Sequence, residues 1–238
     1  MNHYPGILAG LMVLTVASTV RGSEVTIQSG PAPVALVELY TSEGCSSCPP
    51  AEAWFSRLKN DPALWKTFVP IAFHVNYWDN LGWPDKYASA AFTDRQRNYA
   101  AEWKSDRVYT PELVSQGLEG SMYSLPKAVS GDAGRLRATL NDKRELMVSY
   151  TPAMAGVDWQ VHVALLGCDL QTAVKAGENN GETLKHDFVV LAMQSNPLKE
   201  NEAHLTLGTA KPGEKAFAVW VTEGDRMTPV QVAGGWLK

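Results

Sequence analysis

Cys45 and Cys48 stand two residues apart in T-S-E-G-C-S-S-C-P-P-A-E-A-W, and Cys168 is the third and last cysteine of the 238-residue chain. Two thiols at this offset can close a small disulfide ring, exchange it with another thiol, or hold a soft metal ion. A thiolate at a helix start is stabilised by free backbone N–H groups and by the positive end of the helix dipole, which suits C-x-x-C to thiol chemistry. The two prolines that follow Cys48 disfavour helical backbone before them. Helix is therefore expected to begin only near Pro49 or Pro50, which leaves Cys45 short of the dipole and nearer to an ordinary thiol.

The pair needs elements to position it. Residues 34–41 (VALVELYT) are nearly continuous in apolar character, as in a strand buried on both faces. PPAEAWFSRLKND places Ala51, Trp54, Phe55 and Leu58 at helical spacing, with prolines only in the first turn. Residues 68–78 (FVPIAFHVNYW) read as a second strand. The order strand, cysteine loop, helix, strand is a βαβ unit with the loop at the carboxyl end of its first strand, where ligands and chemistry collect in open α/β sheets. A helical insertion is expected next, capped at Thr93-Asp94-Arg95-Gln96 and carrying Tyr99, Ala100 and Trp103 on its apolar face. VYTPELVSQG (108–117) reads as a short strand broken at Thr110-Pro111. Ala133, Leu136 and Leu140 predict a helix over 132–141. From about residue 146 the segments WQVHVALLGCDL, QTAVKA, LKHDFVVLAM, HLTLGTA and KAFAVWVT alternate with turn signals, the pattern of a β-rich, sandwich-like unit.

Composition bounds the function. Apolar residues make up 45% of the chain, enough for a large core. Residues 7–20 (ILAGLMVLTVASTV) followed by Val20-Arg21-Gly22 have the length and small-residue ending of a signal peptide cut after Gly22, although no Lys or Arg precedes the run. This predicts a periplasmic or secreted protein, with an uncleaved anchor as the alternative and no stable membrane insertion once residues 1–22 are removed. The formal net charge is −4 and the only Lys, Arg, Asp or Glu lost with residues 1–22 is Arg21, so nucleic acid is not expected as a partner. No G-x-S-x-G, P-loop, H-E-x-x-H or dinucleotide fingerprint occurs, which excludes the common hydrolase, kinase and metalloprotease motifs.

The runs L-V-E-L-Y-T-S-E-G-C-S-S-C-P-P-A, F-H-V-N-Y-W-D-N-L-G-W, T-D-R-Q-R-N-Y-A, V-Y-T-P-E-L-V and G-E-N-N-G-E-T-L-K-H-D-F-V-V together resemble a family of secreted bacterial thioredoxin-like proteins of unknown function. The resemblance spans most of the chain after residue 22. It implies an α/β fold, with a thioredoxin-like domain at 23–145 followed by a β-rich domain at 146–238. It also implies a cis-proline at Pro111 beside the disulfide, Cys45 as the attacking thiol and Cys48 as the resolving one. Glu38 then stands near the place of the buried acid that thioredoxins carry on the strand before the cysteines, one residue further from Cys45. There it would shuttle a proton to or from Cys48; a strand-end glutamate satisfied by a local hydrogen bond is the equal alternative.

The activity expected is thiol–disulfide exchange on a protein or small-molecule thiol or disulfide, with no organic cofactor. Two alternatives stay open: a Cu(I)-binding or carrier module using the two thiolates plus a histidine such as His74, and an interaction protein with a structural disulfide. Cys168, in V-A-L-L-G-C-D-L, reads as a buried free thiol. His162, His186 and His204 show no metal-ligand spacing with it, which argues against zinc. Tyr77, Trp78, Trp83 and Tyr87 are expected near the cysteine edge, as a groove wall or as core, and Glu43 and Asp79 as acids able to raise a thiol pKa.

Overall fold

The computed structural model describes residues 24–237, so the signal-peptide reading of residues 1–22 lies outside the described residues. After a short strand β1 (Val25–Gln28), the apolar run becomes β2 (Ala35–Thr41), buried at every position. The cysteine loop leads into α1 (Pro49–Arg57), which starts at the prolines and buries Ala51 and Phe55 on one face. Cys48 is its N-cap and is itself helical (φ −78, ψ −36), a conformation that proline at the next position disfavours. β3 (Phe68–His74) returns parallel to β2, in register from Ala35 opposite Phe68 to Thr41 opposite His74.

The next helix, α2 (Ala90–Glu102), begins earlier than expected. Its N-cap is Ser89, whose hydroxyl accepts from the Ala91 N–H at 3.2 Å. Thr93 lies within the first turns and its hydroxyl donates to Asn76 Oδ1 at 2.7 Å, so the T-x-x-Q pattern is a tether to the loop after β3 and not a cap. Phe92, Arg95, Gln96, Tyr99 and Ala100 form the buried face, at the 3–4 residue recurrence of an amphipathic helix. β4 (Glu112–Ser115) and the two-residue β5 (Leu118–Glu119) complete this part.

The helix expected over 132–141 is instead a strand, β6 (Arg135–Leu140). Leu136, Ala138 and Leu140 are buried while Arg135 and Arg137 are exposed, a period of two that the positions of Ala133, Leu136 and Leu140 alone concealed. Strands then follow without a further α-helix: β7 (Glu145–Thr151), β8 (Trp159–Gly167), β9 (Leu170–Ala173), β10 (Thr183–His186), β11 (Val189–Pro197), β12 (Glu202–Thr206), β13 (Glu214–Glu223) and β14 (Pro229–Trp236). Among the described residues the fold is mainly β-sheet, with the α-helices α1 and α2.

An eight-stranded sheet runs in the order β14-β13-β8-β11-β3-β2-β4-β5, beside a four-stranded sheet β1-β6-β7-β12 and the hairpin β9-β10. The boundary expected near residue 145 does not divide these sheets. β11 pairs with β3, in parallel, and with β8, so strands from both halves share one sheet, and the four-stranded sheet likewise joins β1 and β6 to β7 and β12. One face of the large sheet carries α1 over Val37, Leu39, Ala72 and Phe188, and the four-stranded sheet over Val161, Val163, Phe217 and Val219. The opposite face carries α2 over Leu36, Tyr40, Ile71, Phe73 and Trp220. Fully burying a Leu or Phe side chain contributes roughly 1.5–3 kcal/mol, so these layers hold the cysteine loop between rigid elements. No helix of the described residues is long and apolar enough to cross a membrane.

Candidate functional site

Cys45 and Cys48 are joined by a disulfide where β2 ends and α1 begins, with 5.5 Å between their Cα atoms. Both residues are fully buried, while Ser46 and Ser47 between them are exposed. The Ser47 hydroxyl lies 3.3 Å from Cys45 Sγ, and the Thr110 carbonyl oxygen lies 3.7 Å from the same sulfur. Thr110 and Pro111 are joined by a cis peptide bond and lead directly into β4, which pairs with β2. The loop is clamped from outside by the second half of the chain: Asn179 Nδ2 donates to the carbonyls of Glu43 and Cys45 at 2.9 and 3.1 Å, and Glu178 accepts from the Ser46 N–H at 3.0 Å.

Glu38 does not face the cysteines. Its neighbours in the β2 pleat, Leu36 and Tyr40, pack under α2, whereas Val37 and Leu39 face α1. The Glu38 carboxylate is fully buried, accepts from Arg95 Nε and Nη2 at 2.8 and 3.1 Å, and accepts from the hydroxyls of Tyr40 and Tyr99 at 3.0 and 2.5 Å. Arg95 lies over the rings of Phe73, Tyr99 and Trp220 as well. This is a buried ion pair that joins β2 to α2, on the sheet face away from the helix that carries Cys48.

A different set of acids stands at the cysteine end of the sheet. Glu52 of α1 accepts from the Thr41 hydroxyl and pairs with His186 Nδ1, both at 2.5 Å. His186 Nε2 lies 3.3 Å from Glu43 Oε1. Burial alone would lower the His186 pKa, but the two carboxylates outweigh it and raise the imidazole to about 10. Burial likewise pushes the Glu43 carboxyl up, and His186 and Trp83 overcome this and hold it below its ordinary value. Trp83 Nε1 donates to Glu43 Oε2 at 2.7 Å. His74, at the end of β3, is paired through Nδ1 with Asp85 at 2.6 Å, and Tyr87 packs edge-on against both imidazoles. Burial would raise the Asp85 pKa, yet His74 holds it low. Asp79 is raised by burial.

The aromatic residues expected near the edge are there and are part wall, part packing. Trp78 Nε1 donates to Thr110 Oγ1 at 2.8 Å and so braces the segment beside Cys45, and Tyr77 packs against Trp78. Cys168 is free and buried, accepts from the Phe188 N–H at 3.4 Å, and burial pushes its thiol up to about 11, so it behaves as a small apolar core residue. The set of groups with metal-ligand spacing among the described residues, Glu52, His74 and His186, contains no cysteine.

Glu112, next to Pro111, carries no sequence signal of a site, because it follows a proline in a short strand. It accepts from Gln96 Nε2 at 2.5 Å, and burial pushes its carboxyl up to about 7. A carboxyl whose folded pKa lies above its unfolded one favours folding most when protonated, so this contribution is complete below the unfolded value and is lost as pH rises through about 7. Glu112→Gln should remove that loss. The variant should gain on the order of 2 kcal/mol relative to the native protein between about pH 4.5 and pH 8, read from urea midpoints at both pH values.

A family model described as protein of unknown function (DUF1223) matches residues 36–222, from β2 to β13. The chain belongs to the DUF1223 family. Its match takes in the cysteine loop, the Thr110-Pro111 segment and the Glu178-Asn179 clamp alike. No curated protein matches the DUF1223 chain. Among solved structures, it is similar to protein AGR_C_4864 from Agrobacterium tumefaciens, with 21% identity and a TM-score of 0.61 over 88% of this chain and 96% of that one. It is also similar to HBP35 of Porphyromonas gingivalis, with 10% identity and a TM-score of 0.54 over 88% of this chain and 76% of that one. These likenesses are of fold.

Proposed function

We propose that this DUF1223 protein is an exported thiol–disulfide oxidoreductase that works through Cys45 and Cys48 on a protein or small-molecule thiol or disulfide. The observation that carries the reading is the place of the disulfide: at the N-terminus of α1, at the carboxyl end of β2, with the Thr110 carbonyl against Cys45 Sγ. We read β3-β2-β4-β5 with α1 as a thioredoxin-like unit, supported by the parallel β2-α1-β3 connection and the antiparallel β4.

In the reducing direction the Cys45 thiolate attacks one sulfur of a substrate disulfide, the substrate S–S bond breaks, and the first substrate thiolate leaves. Cys48 then attacks Cys45 Sγ, the mixed disulfide breaks, the second substrate thiolate leaves, and the Cys45–Cys48 bond forms. Two electrons pass from the protein to the substrate, and the reverse sequence oxidises a dithiol. Cys45 precedes the N-cap of α1, so the resemblance and not the helix dipole assigns it the attack.

The complete burial of both cysteines favours the second reading, a disulfide that closes the loop and does not exchange. The two are separated by an insulin-reduction assay with dithiothreitol as the electron source. Catalysis by the native protein, lost in Cys45→Ser and in Cys48→Ser, is expected; a rate equal to the uncatalysed background with folded native protein would refute the enzyme reading.

A further inference from the structure

We propose that Glu52, His74 and His186 form a buried site for a divalent transition metal ion of the zinc class, distinct from the cysteine pair. The three residues come from α1, β3 and β10, and each offers one ligand atom within 4.8 Å of the others. Sequence spacing gives no hint of this set, because His186 lies 134 residues from Glu52.

His74 is the residue that points to a ligand. It is 1% exposed, its Nδ1 is held by Asp85 at 2.6 Å, and its Nε2 has no hydrogen-bond partner. A buried ring nitrogen left unpaired costs free energy, and a protein avoids that cost unless something occupies the position. Holding one imidazole nitrogen with a carboxylate while the other faces a cavity is the way metal-binding histidines are oriented. The cavity is there: a space of about 10 Å³ lined by Glu52, His74, His186, Asp187 and the apolar side chains of Leu39, Phe55, Ala72 and Val189. That is room for about one water or one ion.

The charges around this space call for a cation. Glu43, Glu52 and Asp85 are all buried about the two imidazoles, while Asp187 is neutralised from outside by Lys59 at 2.7 Å. Three buried carboxylates against two imidazoles leave negative charge that a bound cation would offset. Glu43 Oε1, 3.3 Å from His186 Nε2 but outside good hydrogen-bond geometry with it, is a further oxygen beside His186. Two imidazoles and a carboxylate are a zinc donor set, whereas calcium and magnesium prefer all-oxygen sites. The ion would replace the hydrogen now shared by Glu52 and His186 and would tie α1, the helix that carries Cys48 at its start, to β3 and β10.

The test uses the protein with its disulfide intact, stripped with a chelator and dialysed against Zn²⁺, with bound metal counted by elemental analysis, and against Co²⁺ for its spectrum. One ion per chain is expected, with a Co²⁺ visible spectrum of nitrogen and oxygen ligands and no thiolate charge-transfer band. His74→Ala should lose the ion, and Asp85→Asn, which loosens the hold on the ring and on the Glu43 and Tyr87 N–H groups that Asp85 also accepts from, should weaken binding roughly 10–100-fold. If His74→Ala does not fold, the Co²⁺ spectrum of the native protein and the Asp85→Asn affinity decide. No retained ion in the native protein, a thiolate band, or binding unchanged in Asp85→Asn would overturn the proposal. The outcome does not depend on thiol exchange, so this proposal and the redox reading can fail separately.

Discussion

Arg95→Met should destabilise the protein by about 3–5 kcal/mol, because it leaves the Glu38 carboxylate buried and without its cation. Glu38 is fully buried and takes two hydrogen bonds from the guanidinium, and the hydroxyls of Tyr40 and Tyr99 supply no charge to replace it. Arg95 also covers Phe73, Tyr99 and Trp220, so its loss removes packing as well as charge. Replacing both partners, as Glu38→Met with Arg95→Met, should recover most of that loss, since exchanging a buried pair for apolar side chains of similar volume is often neutral. Urea unfolding of the two single variants and the double variant gives the coupling directly. A cost for Arg95→Met below about 1 kcal/mol would mean that Glu38 is not held as an ion pair. The result also bears on mechanism: an acid held this firmly on the α2 face is part of the scaffold and not the proton carrier for Cys48 that the resemblance implied.

The second large effect separates the two cysteines. Cys48→Ser, reduced and then mixed with glutathione disulfide, should collect a mixed disulfide on Cys45 in close to stoichiometric amount, because the resolving thiol is gone. Cys45→Ser should collect little over the same time if Cys45 is the attacking thiol that the resemblance implies, since both cysteines are fully buried and burial does not separate them. Intact-mass measurement of both variants shows the difference. Equal adducts on the two would remove the assignment of Cys45 as the attacking thiol. No adduct on either would fit a disulfide that stays closed.

The cysteine edge was readable in the sequence to the extent that neighbouring residues build it. β2 shows as an unbroken apolar run because both its faces are covered, α1 shows because its prolines lie at the start, and β3 follows at the usual distance. Direction within the sheet was less visible. Glu38 alternates with Val37 and Leu39, and that alternation places it opposite α1 once the packing face of the helix is known. β6 resembles a helix in sequence because Ala133, Leu136 and Leu140 fit a helical face, while the exposed Arg135 and Arg137 between buried Leu136 and Ala138 mark it as a strand. The boundary near residue 145 follows from the strand-like segments after it, yet β11 crosses it by pairing with β3, and no local pattern encodes such a long-range pairing. The same holds for Glu52, His74 and His186 and for the Asn179 clamp, which the fold brings together from distant segments.

The most direct measurement is the reduction potential of the Cys45–Cys48 pair, by equilibration in glutathione and dithiothreitol buffers with thiol trapping and mass spectrometry. Thiol exchange as the function predicts a reversible potential between roughly −120 and −270 mV, the range of working oxidoreductases, and its position in that range gives the direction of electron flow. A disulfide still closed below about −300 mV would contradict the account and leave Cys45 and Cys48 as a staple of the loop.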